Sequence, residues 1–398
     1  MSYSAHTEAP EIMHFWAGVS TVAGALRRHV WIDMHAFRWV PNFYVILVAP
    51  AGIVQKSTTA DLGVRLLRRV EGVCIGPSSI TWQALTQSLA EATEMVKLPD
   101  ESLLPMSCIT ISSSELGSFL NPQDREMVDV LTDLWDSKLG VWKRKTKFSG
   151  EDEIENPYIN FIGCTTPSWI KAHVPDYVIG GGFTSRCVFV FAEEKRKLVP
   201  YTDEVIDIKW IKELEEQLVS DLACISQLVG PFQISDAARS WGRAWYEAHW
   251  DKSNRPIQLS SERFGGYIAR KQTHIHKLAM VISASRGSDL VIHEDDLQTA
   301  EAFVTATEAD MTKVFESIGM TPQTRNVQEI IAAVKAYGKI TRRDLLRIMI
   351  RYMSMGEFDD AILSAINADF IIPATISGEP SYLYKGEEAV PDAKSKVQ

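Results

Sequence analysis

PNFYVILVAPAGIVQKSTTADLGVRLLRRV, residues 41–70, is the stretch whose reading decides the fold. Its first ten residues form a short apolar, β-branched and aromatic run bounded by Pro41 and Pro50, the pattern of a strand buried on both faces. A loop, AGIVQ, follows, and then Leu62, Val64, Leu66 and Leu67 recur at roughly helical spacing. A strand, a loop and a helix that opens on Lys-Ser are the parts of a phosphate loop. Its backbone N–H groups wrap the phosphates, the lysine reaches the β- and γ-oxygens, and the hydroxyl meets Mg²⁺. The helix N-terminus favours an anion for the same reason. Pro50, Ala51 and Gly52 open this loop, Gln55 precedes Lys56 and Ser57, and Thr58 follows.

The usual glycine before the lysine is Gln55 here, and Ala49 or Pro50 stands at the leading glycine. A non-glycine before the lysine narrows the cradle or demands another backbone angle. The order of parts nevertheless favours phosphate binding over a plain turn with a surface lysine.

Working outward, strands are predicted at 73–75, 107–113, 158–164 and 186–192, and helices at 14–30, 80–96 and 124–135. Strands that alternate with helices predict an α/β fold with a mostly parallel sheet. From Tyr201 the pattern turns helical, with helices predicted at 204–228, 235–252, 261–284 and 293–318. Residues 321–326, TPQTRN, read as a linker. Residues 326–388 read as three helices and a short extended stretch turned at Gly378–Pro380, the order of a winged helix. The expected divisions are an N-terminal helical lead-in (1–30), a core (31–200), a helical lid (201–320), a winged helix (326–388) and a disordered tail (389–398).

The net charge is −10, so any nucleic-acid contact must come from a local basic patch and not from the field of the whole protein. Five cysteines without a CxxC argue against a disulfide framework or a zinc site and read as small core residues in a reducing cytosol. No basic segment leads an apolar one at the N-terminus, and the longest apolar run is too short for a bilayer, which predicts a cytoplasmic protein without membrane contact.

Further residues carry candidate chemistry. Glu115 ends the strand at 107–113, where an acid holds Mg²⁺ with Ser57 and polarises water; Ser114 replaces a second acid. Thr165 and Thr166 end the strand at 158–164 and are positioned to sense the γ-phosphate, although Thr166 before Pro167 also suits a helix cap. Arg186, after three glycines, stands at the mouth of a buried strand and suits an arginine finger or a structural ion pair. VWKRKTKF at 141–148 alternates Lys143, Lys145 and Lys147 with Trp142, Arg144 and Phe148, a basic hairpin able to track a phosphate backbone or simply an exposed edge. Arg343, Arg347 and Arg351 lie four apart as a basic stripe, while the next helix carries Glu357, Asp359 and Asp360, which repel phosphate. His274 and His276, two apart, do not share a helix face and so do not read as a metal pair. Arg270 is a candidate second phosphate sensor.

Taken together, EAPEIMHFWAG, PNFYVILVAPAGIVQKSTT, SSSELGSFL, ENPYINFIGCTTPSWI, GGGFTSR and YIARKQTHIHKLAM resemble a phage and prophage P-loop ATPase family of primase/helicase-like replication proteins, over most of residues 8–320. The order also resembles AAA+ helicases of the superfamily 3 and MCM type. The resemblance implies ATP and Mg²⁺ as ligands and a homo-oligomeric ring. It implies a helicase-like motor on single- or double-stranded DNA in phage or mobile-element replication, in the cytoplasm of a bacterial host. By that analogy 141–157 is a channel hairpin, Arg186 the finger and Arg270 the second sensor. An ATP-dependent loader or remodeller of a replication protein, and a nucleotide-bound scaffold that does not hydrolyse, are the alternatives.

Overall fold

The computed structural model describes residues 2–146, 150–175, 178, 181–251, 264–315, 322–376 and 378–385. The chain divides into two compact units, Met1–Glu316 and Ser317–Gln398.

In chain order the first unit contains α1 (Glu11–Leu26), β1 (Val30–Asp33), β2 (Arg38–Trp39), β3 (Tyr44–Val48), α2 (Lys56–Leu67), α3 (Trp82–Glu91), β4 (Thr93–Lys97) and β5 (Leu103–Ser113). Then follow α4 (Leu116–Phe119), α5 (Arg125–Trp135), β6 (Val141–Thr146), β7 (Gly150–Glu155), β8 (Pro157–Thr165), α6 (Pro167–His173) and β9 (Cys187–Phe191). The rest is α7 (Ile208–Ser226), β10 (Gly230–Pro231), β11 (Gln233–Ile234), α8 (Asp236–Trp250), α9 (Gly265–Arg286), β12 (Val291–Ile292) and α10 (Glu294–Phe315).

The main sheet has the order β4-β5-β8-β3-β9. β5, β8, β3 and β9 run parallel, and β4 joins antiparallel at one edge. All five residues of β3 and of β9, and all nine of β8, are buried, as strands covered on both faces must be. α1 is apolar nearly all round and is a buried central helix, not a lead-in. The Tyr158 hydroxyl donates to Ala23 O (2.6 Å), and Asn160 Nδ2 donates to Ser20 O (2.8 Å), tying α1 to β8. Trp16 Nε1 donates to Thr307 Oγ1 of α10 (3.0 Å). One apolar core therefore joins α1, β3, β8 and β9 to α9 and α10, and the helical segment after residue 201 shares the core of the sheet.

Several expectations change. The strand at 73–75 is a single bridge, Ile75 to Thr110. The helix at 80–96 ends at Glu91, and Thr93–Lys97 turns back as β4. Asp100 makes the turn from β4 into β5 by accepting from the Ser102 N–H and hydroxyl, local turn chemistry that helical periodicity does not register. Cys108, Cys164 and Cys187 are buried, but Cys74 and Cys224 are exposed. Among the described residues, no helix is long and apolar enough to cross a membrane.

The second unit contains α11 (Pro322–Tyr337), β13 (Lys339–Thr341), α12 (Arg342–Met349), α13 (Met355–Asn367), β14 (Ile371–Ile376) and β15 (Glu379–Tyr384). Its antiparallel sheet has the order β13-β15-β14 around its own apolar core. Pro322 opens α11, so most of the expected linker is helical; proline suits a first turn because that N–H has no helical partner. The arginine stripe is shorter than its spacing suggests, because α12 ends at Met349 and Arg351 lies beyond it.

Where α1 crosses α2, a Cβ on Gly63 would lie 1.9 Å from Thr21 Oγ1, which donates to Ala17 O at 2.8 Å. Glycine to alanine in a helix ordinarily stabilises by about 1 kcal/mol. Here overpacking reverses the sign, and Gly63→Ala is expected to cost about 1–3 kcal/mol in urea unfolding. In a Thr21→Ala background the same change should be neutral or stabilising.

Burial holds three imidazoles neutral: His274 is depressed to about 3, and His276 and His14 to about 4. Unfolded, each takes a proton below about 6.5. The unfolded state thus binds more protons between pH 6.5 and 4, and stability falls as pH is lowered through that window, by up to about 1.4 kcal/mol per pH unit per histidine. Unfolding followed against pH should show this slope, and His274→Gln should flatten it.

Candidate functional site

β3, β5 and β8 deliver their carboxyl ends to one edge of the sheet, the place where parallel α/β sheets leave a crevice. Val48 pairs with Thr165, and Ser113 with Gly163, so the three ends are level. A cavity of about 380 Å³ opens there. Ala51, Gly52, Gln55, Lys56 and Ser57 line it from the β3–α2 loop, Ser114, Glu115, Leu116 and Gly117 from the end of β5, and Cys164, Thr165, Thr166 and Trp169 from β8 and α6.

The loop is built on two left-handed residues. Gly52 has φ +73°, where glycine is free of strain. Gln55, the N-cap of α2, has φ 53° and ψ 42°, a conformation that costs a residue with a Cβ about 1–2 kcal/mol. The missing glycine thus leaves the backbone turn in place. Lys56 Nζ donates to Ala49 O (2.8 Å) and Pro50 O (3.2 Å), folded back over the loop, and burial lowers its ammonium from the usual lysine range. Ser57 is exposed at the first turn of α2. Pro50 and Thr58 do not line the cavity; Pro50 contributes its carbonyl to Lys56.

Opposite the loop, Ser113 Oγ donates to Glu115 O (2.7 Å) and fixes the turn that brings Glu115 to the cavity. Thr165 and Thr166 divide the expected role. Thr166 Oγ1 accepts from Trp169 N (3.1 Å) and caps α6, whereas Thr165 is buried at the cavity wall and its carbonyl accepts from Ala49 N (3.3 Å). Trp169 is a wall that motif reading missed. It packs so close to Gly117 that a Cβ there would meet Nε1 at 2.6 Å.

Arg186 and Arg270 lie elsewhere. Arg186 directly precedes β9, whose first residue pairs with Tyr44, the first of β3. That is the amino edge of the sheet, about 16 Å along five strand residues from the cavity edge. Arg186 is buried, and it donates from Nη2 to Asp136 Oδ2 (2.7 Å), from Nε to Asp136 Oδ1 (3.3 Å) and from Nη1 to Gly182 O (2.8 Å). Arg270 lines a second cavity of about 410 Å³ with Trp39, Trp135, Asp136, Lys138 and Lys277. Burial, reinforced by the Arg186 charge, lowers its guanidinium from the usual range. Neither arginine reaches the Lys56 cavity of its own chain. In the same second cavity Lys277 is fully buried, with Nζ donating to Asn42 Oδ1 (2.6 Å) and lying 3.5 Å from the Trp135 ring centroid.

The basic hairpin carries its own counter-charge. β6 pairs antiparallel with β7, GEDEIE, in a register that sets Lys143 opposite Glu153, Arg144 opposite Asp152 and Lys145 opposite Glu151. Lys143 forms an ion pair with Glu153. Arg144 pairs with Glu126 (3.3 Å) and lies over Trp82 at 4.2 Å. The register thus sets acids opposite a strand that the sequence offered as a phosphate track or an exposed edge. Lys147 lies outside the described residues. In the second unit Arg343 pairs with Glu379 (3.2 Å) and Arg347 with Asp344 (3.3 Å).

No protein-family model matches this chain, and no curated protein is significantly similar to it in sequence.

The Arg186–Asp136 pair is testable by itself. Asp136→Ala leaves a buried guanidinium without its carboxylate and is expected to cost about 2 kcal/mol in thermal or urea unfolding, less than for a fully enclosed pair because Asp136 is one-third exposed. Arg186→Met, which removes the charge, should cost less.

Proposed function

We propose that the chain binds a nucleoside triphosphate at the carboxyl edge of the sheet and hydrolyses it, with ATP as the nucleotide that the sequence resemblance implies. The observation that carries this reading is one cavity lined by the α2 N-terminus, Lys56, Ser57, Glu115 and Thr165, with Gln55 holding the left-handed turn normally given to glycine. The cavity volume of about 380 Å³ lies within the range of small-molecule sites.

The first N–H groups of α2 have no helical acceptors and take phosphate oxygens. Lys56 leaves the Ala49 and Pro50 carbonyls for the β- and γ-oxygens, and the phosphate charge favours its ammonium form. Ser57 and Glu115 supply oxygen donors suited to Mg²⁺, which when bound neutralises phosphate charge. Glu115 also orients the attacking water, and the Thr165 hydroxyl faces the terminal phosphate. Thr166 is kept from that role by its cap. Arg186 and Arg270 act only on the nucleotide of a neighbouring copy in a ring, and Arg186 must first exchange Asp136 for phosphate.

The second unit we read as a winged helix, supported by its order of helix, strand, two helices and a hairpin. The Lys143–Glu153 pair, the acids that the register sets along β7 and the acids on α13 favour a protein substrate, as in a loader or remodeller, over a nucleic-acid strand.

The test is ATP turnover with and without single-stranded DNA. Lys56→Ala is expected to lower turnover by about a hundredfold or more. Failure of the wild type to bind ATP with Mg²⁺ contradicts the nucleotide reading. Turnover insensitive to DNA is expected from these acids. DNA-stimulated turnover lost on changing Lys143 and Lys145 to alanine would return the hairpin to the role of a strand-tracking element.

A further inference from the structure

Gln55 poses a physical problem that the phosphate loop alone does not solve. A side chain with a Cβ is disfavoured in the left-handed region, which is left mainly to glycine and, less often, to asparagine and aspartate. Such a conformation persists where surrounding structure over-determines it. Gln55 is also the N-cap of α2, so a change in its φ re-aims the N–H groups of Lys56, Ser57 and Thr58.

The surrounding structure is specific. Gln55 Nε2 donates to Glu8 Oε2 at 3.1 Å. Glu8 is 6% exposed although it lies only a few residues from the start of the chain. The same Oε2 accepts from Lys195 Nζ (2.6 Å), and Oε1 accepts from Val199 N (3.0 Å). Its main-chain carbonyl accepts from Arg196 N (2.9 Å). Arg196 Nη2 reaches Ser4 O and Thr7 O (3.4 Å each), and Lys197 donates to Ala5 O. Glu8 is therefore a rigid acceptor, fixed from one side by the loop after β9 and presented to Gln55 from the other. If Gln55 returned to negative φ, its amide would swing away and leave the buried carboxylate one donor short, which disfavours that conformation.

We propose that Glu8 is a positioning residue for the phosphate loop: it holds Gln55 in the left-handed conformation that glycine adopts unaided, and so couples the N-terminal strap and the Lys195–Val199 loop to the nucleotide site. The consequence for nucleotide rests on the phosphate-loop reading above; the holding of the loop does not. Glu8 touches no substrate. A glycine at position 55 removes the need for it, which sets up a test that a general loss of stability would not imitate.

The experiment uses the full chain as wild type, Glu8→Ala, Gln55→Gly and the double variant. Amide hydrogen exchange without nucleotide reads the loop, and titration with a fluorescent ATP analogue plus Mg²⁺ reads the site. Glu8→Ala is expected to speed exchange at Thr59, whose N–H donates to Gln55 O (3.0 Å), and to weaken the analogue, each by about tenfold, the scale of the left-handed penalty. In the Gln55→Gly background Glu8→Ala should change affinity by less than about twofold, whereas the drop in melting temperature from the lost Lys195 pair should be the same in both backgrounds. Unchanged loop exchange in Glu8→Ala, or an affinity loss equally large with Gly at position 55, overturns the proposal. If the wild type binds no analogue yet exchange still responds to Glu8→Ala, the nucleotide reading fails and Glu8 stands as the holder of the loop.

Discussion

The ladder of β3 between β8 and β9 is the constraint on which the rest depends. Five buried residues are hydrogen-bonded on both sides, from Tyr44 opposite Phe161 and Cys187 to Val48 opposite Thr165 and Phe191. A strand held in this way has no freedom of register, because a shift by one would turn every side chain to the other face. Its end therefore delivers the chain to a fixed point, level with the ends of β5 and β8. From there the loop must climb to α2 through two left-handed residues, and the cavity follows from that path. α1, bonded to β8 through its own carbonyls, packs against α2 and the sheet and keeps the strands dry.

The same ladder separates the two groups of basic residues. Lys56 sits at the carboxyl edge, while Arg186, Arg270 and Lys277 gather at or near the amino edge around Asp136 and Trp135. A single subunit cannot bring the two groups together, because parallel strands fix the distance between their edges. Any chemistry that uses both is chemistry between copies. Elsewhere several basic side chains meet acids within the fold: Lys143 meets Glu153, Arg144 meets Glu126, and Arg342 meets Asp359.

Much of this was legible in the sequence, and the exceptions have physical causes. Buried parallel strands read as continuous apolar runs, so β3, β5, β8 and β9 stood out, and with them the residues at their ends. Glu115 and Lys56 share a cavity because the strand ends do. What could not be read were partners distant in sequence. Lysines at 143 and 145 look like a free basic strand until the register of β7 sets acids opposite them. Arg186 looks like a finger until Asp136, fifty residues away, is seen on its guanidinium. Gln55 looks like a defect until Glu8, just before α1, is seen to accept from its side-chain amide. The β4 hairpin was lost for a local reason, since the Asp100–Ser102 turn is set by side-chain hydrogen bonds and not by periodicity.

The central claim is that the carboxyl-edge cavity is where nucleotide binds. The most direct measurement is the pattern of amide protection when Mg²⁺ and ATP are added to the wild-type chain. The account predicts protection at residues 52–58 together with 114–117 and 165–169. Protection confined to residues 36–39 and 270–277, around the second cavity, or no protection at all, would contradict it.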